Sequence, residues 1–138
     1  MLISAGLDLG IPLDRLRRLE LILGTRLNFI SDRYQDSLLL GFRVGLMGKF
    51  GSTGLRLGGF AEGGGFGVTD FSKSHFGKRP YVEGGVNFGY SLGGNVNFAL
   101  EAAGGKRESN IPPSTFGAEV NSEFLPYYRL GVMLGGSF

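Results

Sequence analysis

"PYVEGGVNFGYSLGGNVNFALEA", residues 80–102, alternates with a period of two. Val82, Val86, Phe88, Tyr90 and Leu92 share one parity, and Glu83, Gly85, Asn87 and Gly89 the other. Beyond Gly93-Gly94 the pattern resumes, with Val96, Phe98, Leu100 and Ala102 against Asn97, Ala99, Glu101 and Ala103. Successive strand residues point to opposite faces, so this is the signature of two strands joined by a tight turn. The carboxylates and glycines lie together on one face, and that placement decides the architecture.

The same grain runs through most of the chain. Ile3, Ala5, Leu7, Leu9 and Ile11 alternate with Ser4, Gly6, Asp8 and Gly10 over 2–13. Comparable segments fall at 16–29, 37–50, 53–66 and 127–138, and a weaker one at 114–124. Together with the two strands at 80–102 they predict eight strands. A rival exists for "LDRLRRLELILGTRL": Leu13, Leu16, Leu19 and Leu23 would also line one side of a helix. Gly24-Thr25 weakens that helix, and the strand reading is kept. Segments of 11 to 14 residues exceed the typical soluble strand of about 5–6 and match the roughly 9–11 needed to cross a bilayer obliquely.

The chain has 138 residues, enough for one domain spanning 1–138. Its 26 glycines far exceed the usual share of roughly 7%, while 42% apolar content argues against disorder. No apolar run reaches the roughly 18 residues of a membrane-spanning helix, and "MLISAGLDLG" lacks the basic start and apolar stretch of a signal peptide. A net charge of +2 gives no reason to expect nucleic acid. With no cysteine and one histidine, neither a disulfide framework nor a zinc site is expected.

By parity, Arg18, Arg26, Arg43, Lys49, Arg56 and Arg129 share the polar face with Asp8, Glu20, Glu62, Glu83, Glu101 and Glu119. On a water-exposed face the glycines among them would only weaken the strands. Inside a narrow barrel they make room for long side chains, and near-equal acid and base suits an ion-paired interior. The opposite face carries large apolar residues on every strand, too many to fit inside so narrow a cylinder. The expectation is therefore an all-β, eight-stranded antiparallel up-and-down β-barrel with an apolar exterior and a polar, Gly-rich, ion-paired interior. Lipid is the solvent that tolerates such an exterior. The expected interior network comprises Arg18, Glu20, Arg43, Arg56, Glu62, Glu83, Glu101, Glu119 and Arg129.

The chain resembles the small bacterial outer-membrane β-barrels of the OmpA-like and opacity-protein-like group. "PYVEGG" opening a strand, "YSLGGNVNFALEA" as strand, turn and strand, and the ending "YRLGVMLGGSF" with its final Phe138 carry the likeness. The resemblance implies a bacterial outer-membrane location, a monomer in lipid bilayer or detergent, no cofactor and no catalysis. One departure matters. In that group the termini and short turns share one end, whereas eight strands here put both termini at the long-loop end. A seven-strand reading, with 105–127 as one long loop, returns Phe138 to the short turns but leaves the barrel without a first strand.

Three candidate sites compete with a purely structural reading. His75 stands near Asp70, Ser72, Lys73 and Ser74, as a hydrolase would require, yet a loop histidine in water accounts for it. Glu62, Glu83 and Glu101 suit acid–base work, yet the arginines on their face favour ion pairs. Lys73, Lys78, Arg79, Lys106 and Arg107, beside Phe71 and Phe76, form a basic rim suited to lipopolysaccharide phosphates or another anionic surface; solvated loop charge is the plainer account. "GGGFG" at 63–67 is expected to be a flexible loop. The function expected is a non-enzymatic envelope anchor or adhesin-like surface protein with a plugged interior. The alternatives are a soluble barrel holding a lipophilic ligand, or the barrel module of a larger secreted or effector polypeptide.

Overall fold

A computed structural model describes residues 2–31, 36–51, 53–70, 75–92, 96–110 and 122–136. They form seven strands: β1 (Leu2–Pro12), β2 (Leu19–Ser31), β3 (Asp36–Phe50), β4 (Leu55–Asp70), β5 (His75–Ser91), β6 (Val96–Asn110) and β7 (Ser122–Gly136). Every strand pairs antiparallel with its neighbour in sequence, giving one up-and-down sheet in the order β1 to β7. No helix occurs among the described residues.

The region with a helical rival divides cleanly. Residues 13–18 make a turn in which Asp14 Oδ1 accepts from the backbone N–H groups of Arg18 and Leu19, at 2.7 and 3.1 Å. Arg17 takes a left-handed conformation, with φ of 53°, and the strand begins at Leu19. Asp14 satisfies donors that a helix would have used internally.

Two of the expected boundaries were wrong, for separable reasons. "GGGFG" is not a loop: it lies within β4, which reaches Asp70. Leu40 pairs with Phe66 and Gly41 with Gly64, so Gly65 is an extra, bulged residue. Its φ of 112° is closed to most side chains, and an added Cβ there would collide with the Arg79 carbonyl. The bulge reverses the parity, so that Phe66 faces outward and Thr69 inward. The second correction concerns strand number. Residues 111–121, holding most of the expected strand at 114–124, lie outside the described residues. Residues 122–124 belong to the same strand as 127–136, with Pro126 paired to Lys106 within it. Proline is tolerated there because β7 is an edge strand, and an edge residue has no ladder to feed on its free side.

Among the described residues the strand count is therefore seven rather than eight, and the sheet is not closed: no ladder there joins β1 to β7. It is nevertheless strongly curled. The Arg43 guanidinium on β3 reaches Glu101 on β6 and the Met133 sulfur on β7. The concave face so formed is polar and the convex face apolar. Arg43, Glu62, Glu83 and Glu101 are each 3–5% exposed, while Phe42, Val44 and Leu46 on β3 are 48–60% exposed.

Candidate functional site in the charged interior

Alternation alone places the interior residues, since each strand sends every second side chain to the concave face. Arg43, midway along β3, is the hub. Its Nε donates to Glu62 Oε2 at 2.8 Å, and its two terminal nitrogens donate to the two oxygens of Glu101 at 2.6 and 2.9 Å. Such forked charge-assisted bonds are the strongest pairings a guanidinium makes with carboxylate. The same guanidinium lies over the Phe60 ring, 3.8 Å from its centre.

The network spreads from there in both directions. Arg129 bonds to Glu83 and also reaches Glu101 at 2.6 Å, and the Tyr127 hydroxyl donates to Glu83. Glu62 accepts from the Tyr81 hydroxyl at 2.7 Å, and Tyr81 in turn accepts from Asn28 Nδ2 at 2.7 Å. Toward β1, Arg26 makes a forked pair with Asp8 at 2.5 and 2.8 Å. Lys49 pairs with Glu20 at 2.5 Å. A buried charge is costly unless its partners are complete, and here most of the described interior carboxylates face a cation directly.

Close approach makes one glycine necessary. Gly41 faces inward, and a Cβ there would strike the Tyr81 hydroxyl. Gly6, Gly24 and Gly58 likewise stand where a neighbour's side chain crosses, those of Arg26, Asp8 and Asn87 in turn.

Of the nine residues expected in the network, Arg43, Glu62, Glu83, Glu101 and Arg129 are joined in it, and Glu20 makes a separate pair with Lys49. Arg18 is not: it sits exposed in the turn before β2, because the strand starts one residue after it. Arg56 lines an interior cavity but has no ion-pair partner among the described residues. Glu119 lies outside the described residues. Asn28, Phe60, Tyr81 and Tyr127 also line the interior; the expected network omits them, although each shares its parity with a charged residue of the polar face.

The basic rim also needs correcting. Lys73 lies outside the described residues, as do Phe71, Ser72 and Ser74. Lys78 and Lys106 are exposed, but Arg79 is buried and donates to Ser37 Oγ at 2.9 Å. Arg107 lies over the Tyr127 ring, 4.6 Å from its centre. Both arginines face inward because β5 and β6 extend past residues first read as loop. His75 opens β5 opposite Asp70 in the ladder rather than lying in a loop; the side chains of both fall outside the described residues.

At the short-turn end the interior opens into a cavity of about 530 Å³, walled by Asp8, Arg17, Glu20, Lys49, Arg56 and Asn87 among others. Its lining is mixed, with Leu9, Ile22, Leu46, Met47, Phe60 and Phe98 standing among the charged and amide groups. No family model matches the chain, and no curated protein or solved structure matches it significantly.

Proposed function

We propose that the chain is the membrane-embedded part of a bacterial outer-membrane-type protein, a non-enzymatic anchor or surface element. The observation that carries this reading is the inversion of burial: Arg43 and Glu101 are enclosed while Phe42, Val44, Phe88 and Leu100 stand bare on the convex face. In water such a face would be an aggregation surface; in lipid it is the required exterior. Outward aromatics near the strand ends, Phe50 and Tyr90 at one and Phe66 and Phe76 at the other, fit the interfacial girdles of membrane strands. Lys78 and Lys106 extend the second girdle with charge suited to lipopolysaccharide phosphates.

The centre of the concave face is filled by Arg43, Phe60, Glu62 and Glu101, so this reading assigns no steady conductance to it. The soluble alternative can draw on the 530 Å³ space, whose lining is mixed, but it gives no account of the bare apolar convex face. Vesicle flotation tests the proposal. The refolded chain should rise with lipid and require detergent when lipid is withheld. A monodisperse, folded chain in plain buffer would end the membrane reading, and large steady single-channel currents would end the plugged interior.

A further inference from the structure

Two cations stand directly opposite each other on the concave face. Lys49 on β3 is the ladder partner of Arg56 on β4, and both line the cavity of about 530 Å³ at the short-turn end. Like charges so placed destabilise a sheet. Lys49 holds Glu20 at 2.5 Å, while the half-buried Arg56 meets no carboxylate among the described residues. The neighbouring charges are already matched: Asp8 forks onto Arg26, and Arg43, at the cavity's inner end, is held by Glu62 and Glu101. The mouth therefore sets Arg17, Lys49 and Arg56 against the single carboxylate of Glu20. The connections at this end supply no other, since 51–54, 92–95 and 137–138 contain no Asp or Glu. Asp14 is held by the backbone of its own turn. Beside this surplus sits a second unmet group: Asn87 Oδ1, on the cavity wall, is buried without a hydrogen-bond partner among the described residues. In the β4–β5 ladder Arg56 faces Gly89 and Gly58 faces Asn87. Arg56 and Asn87 are thus diagonal neighbours on one face, roughly 7–8 Å apart. Toward the Arg43 hub the wall turns apolar, with Ile22, Met47, Phe60 and Met133.

We propose that this cavity binds a small amphipathic carboxylate of the N-acyl amino acid class. Its carboxylate forks onto the Arg56 guanidinium and relieves the repulsion between Arg56 and Lys49. Its amide N–H, one carbon away, donates to Asn87 Oδ1, an acceptor that would otherwise stay buried and unmet. Its acyl chain lies along Ile22, Met47, Phe60 and Met133, where two flexible thioethers accommodate chains of different shape. An inorganic anion would leave both Asn87 and the apolar wall without a partner, and a plain fatty acid would leave Asn87 without one. Such a site works whether lipid or water meets the convex face, so it stands apart from the membrane proposal.

Titration calorimetry of the full chain refolded in a neutral maltoside detergent, with empty micelles as the blank, tests the site with a matched set of probes. N-hexanoylglycine carries both polar features, N-hexanoylglycinamide lacks the charge, and N-hexanoylsarcosine lacks the N–H. N-hexanoylglycine should bind saturably, one per chain. Each of the other probes should bind about tenfold more weakly, the effect of losing one such contact. Arg56→Gln should abolish the preference for N-hexanoylglycine over its amide and keep the preference over the sarcosine compound; Asn87→Ala should do the reverse. These preferences are ratios within one variant, so a general loss of affinity does not imitate them, and if a variant does not fold, the probe set on the parent chain still decides. Absence of saturable N-hexanoylglycine binding would mean that water or the chain itself fills the cavity, and the proposal falls. Equal affinity for N-hexanoylglycine and its amide overturns the role of Arg56. Equal affinity for N-hexanoylglycine and the sarcosine compound overturns the role of Asn87 and with it the N-acyl amino acid class.

Discussion

The middle of the sheet and its two edges obey one pattern and end in different states. In β3 through β6, alternation places a charge inward and an apolar side chain outward, and each strand has a neighbour on both sides. Arg43 there is enclosed and bonded to two carboxylates and an aromatic ring. In β1 the same alternation leaves Asp8 about 29% exposed although it forks onto a buried Arg26. Enclosure, and not residue type, sets what a charge is worth: low dielectric strengthens a complete pairing and penalises an incomplete one. The centre is therefore fragile to the loss of any one partner, and the seam is forgiving.

The largest effect should follow from emptying the hub. Arg43→Ala leaves Glu62 and Glu101 enclosed without their main cation, and breaking such a pair costs about 3–5 kcal/mol. Urea unfolding in detergent micelles, followed by circular dichroism, measures it. A loss below about 1 kcal/mol, the scale of surface pairs, would mean that the centre is as wet as the seam. Replacing Arg43, Glu62 and Glu101 together by apolar residues should be far milder than Arg43→Ala alone, since it removes the stranded charges as well.

Next comes the outer face at the same level. Val44→Arg puts a charge at mid-strand, where lipid contact costs about 2–4 kcal/mol; in water the same exposed substitution stays within about 0.5 kcal/mol. Comparing refolding yields in vesicles and in dilute detergent-free buffer distinguishes the two solvents. Lys78→Ala, at the strand end, should change neither. A smaller effect is expected from Gly41→Ala, which drives the Tyr81 hydroxyl away from Glu62 and Asn28. Losing those enclosed bonds costs about 1–3 kcal/mol, and the paired change Gly41→Ala with Tyr81→Phe should recover part of it.

Alternation carried most of this into view from the sequence. It fixed which residues face inward, because a period of two is local and needs no partner to be visible. The strand ends were less legible. Gly63-Gly64-Gly65 reads as a loop until one sees that only Gly65 is extra, and a bulge declares itself only through the neighbouring strand's register. Arg79 and Arg107 depend on where the strands end: with β5 and β6 extended, Arg107 stands opposite Tyr81 and both turn inward. Pro126 reads as a break, and its tolerance depends on β7 being an edge, which is a property of the whole sheet. Which arginine meets which carboxylate could not be read at all. Arg43 and Glu101 are 58 positions apart, and their meeting depends on curvature and shear.

The smallest loss expected from breaking an interior pair bears most directly on the seam. Asp8→Asn removes one partner of Arg26, yet Asp8 is open to water and Arg26 keeps Glu62 at 3.8 Å. A partly solvated pair of this kind is worth about 1 kcal/mol or less. Urea unfolding of the parent chain and of Asp8→Asn in detergent micelles measures it. A cost approaching that of Arg43→Ala would mean that β1 encloses its charges as fully as β3 does, and the contrast between edge and centre would not hold.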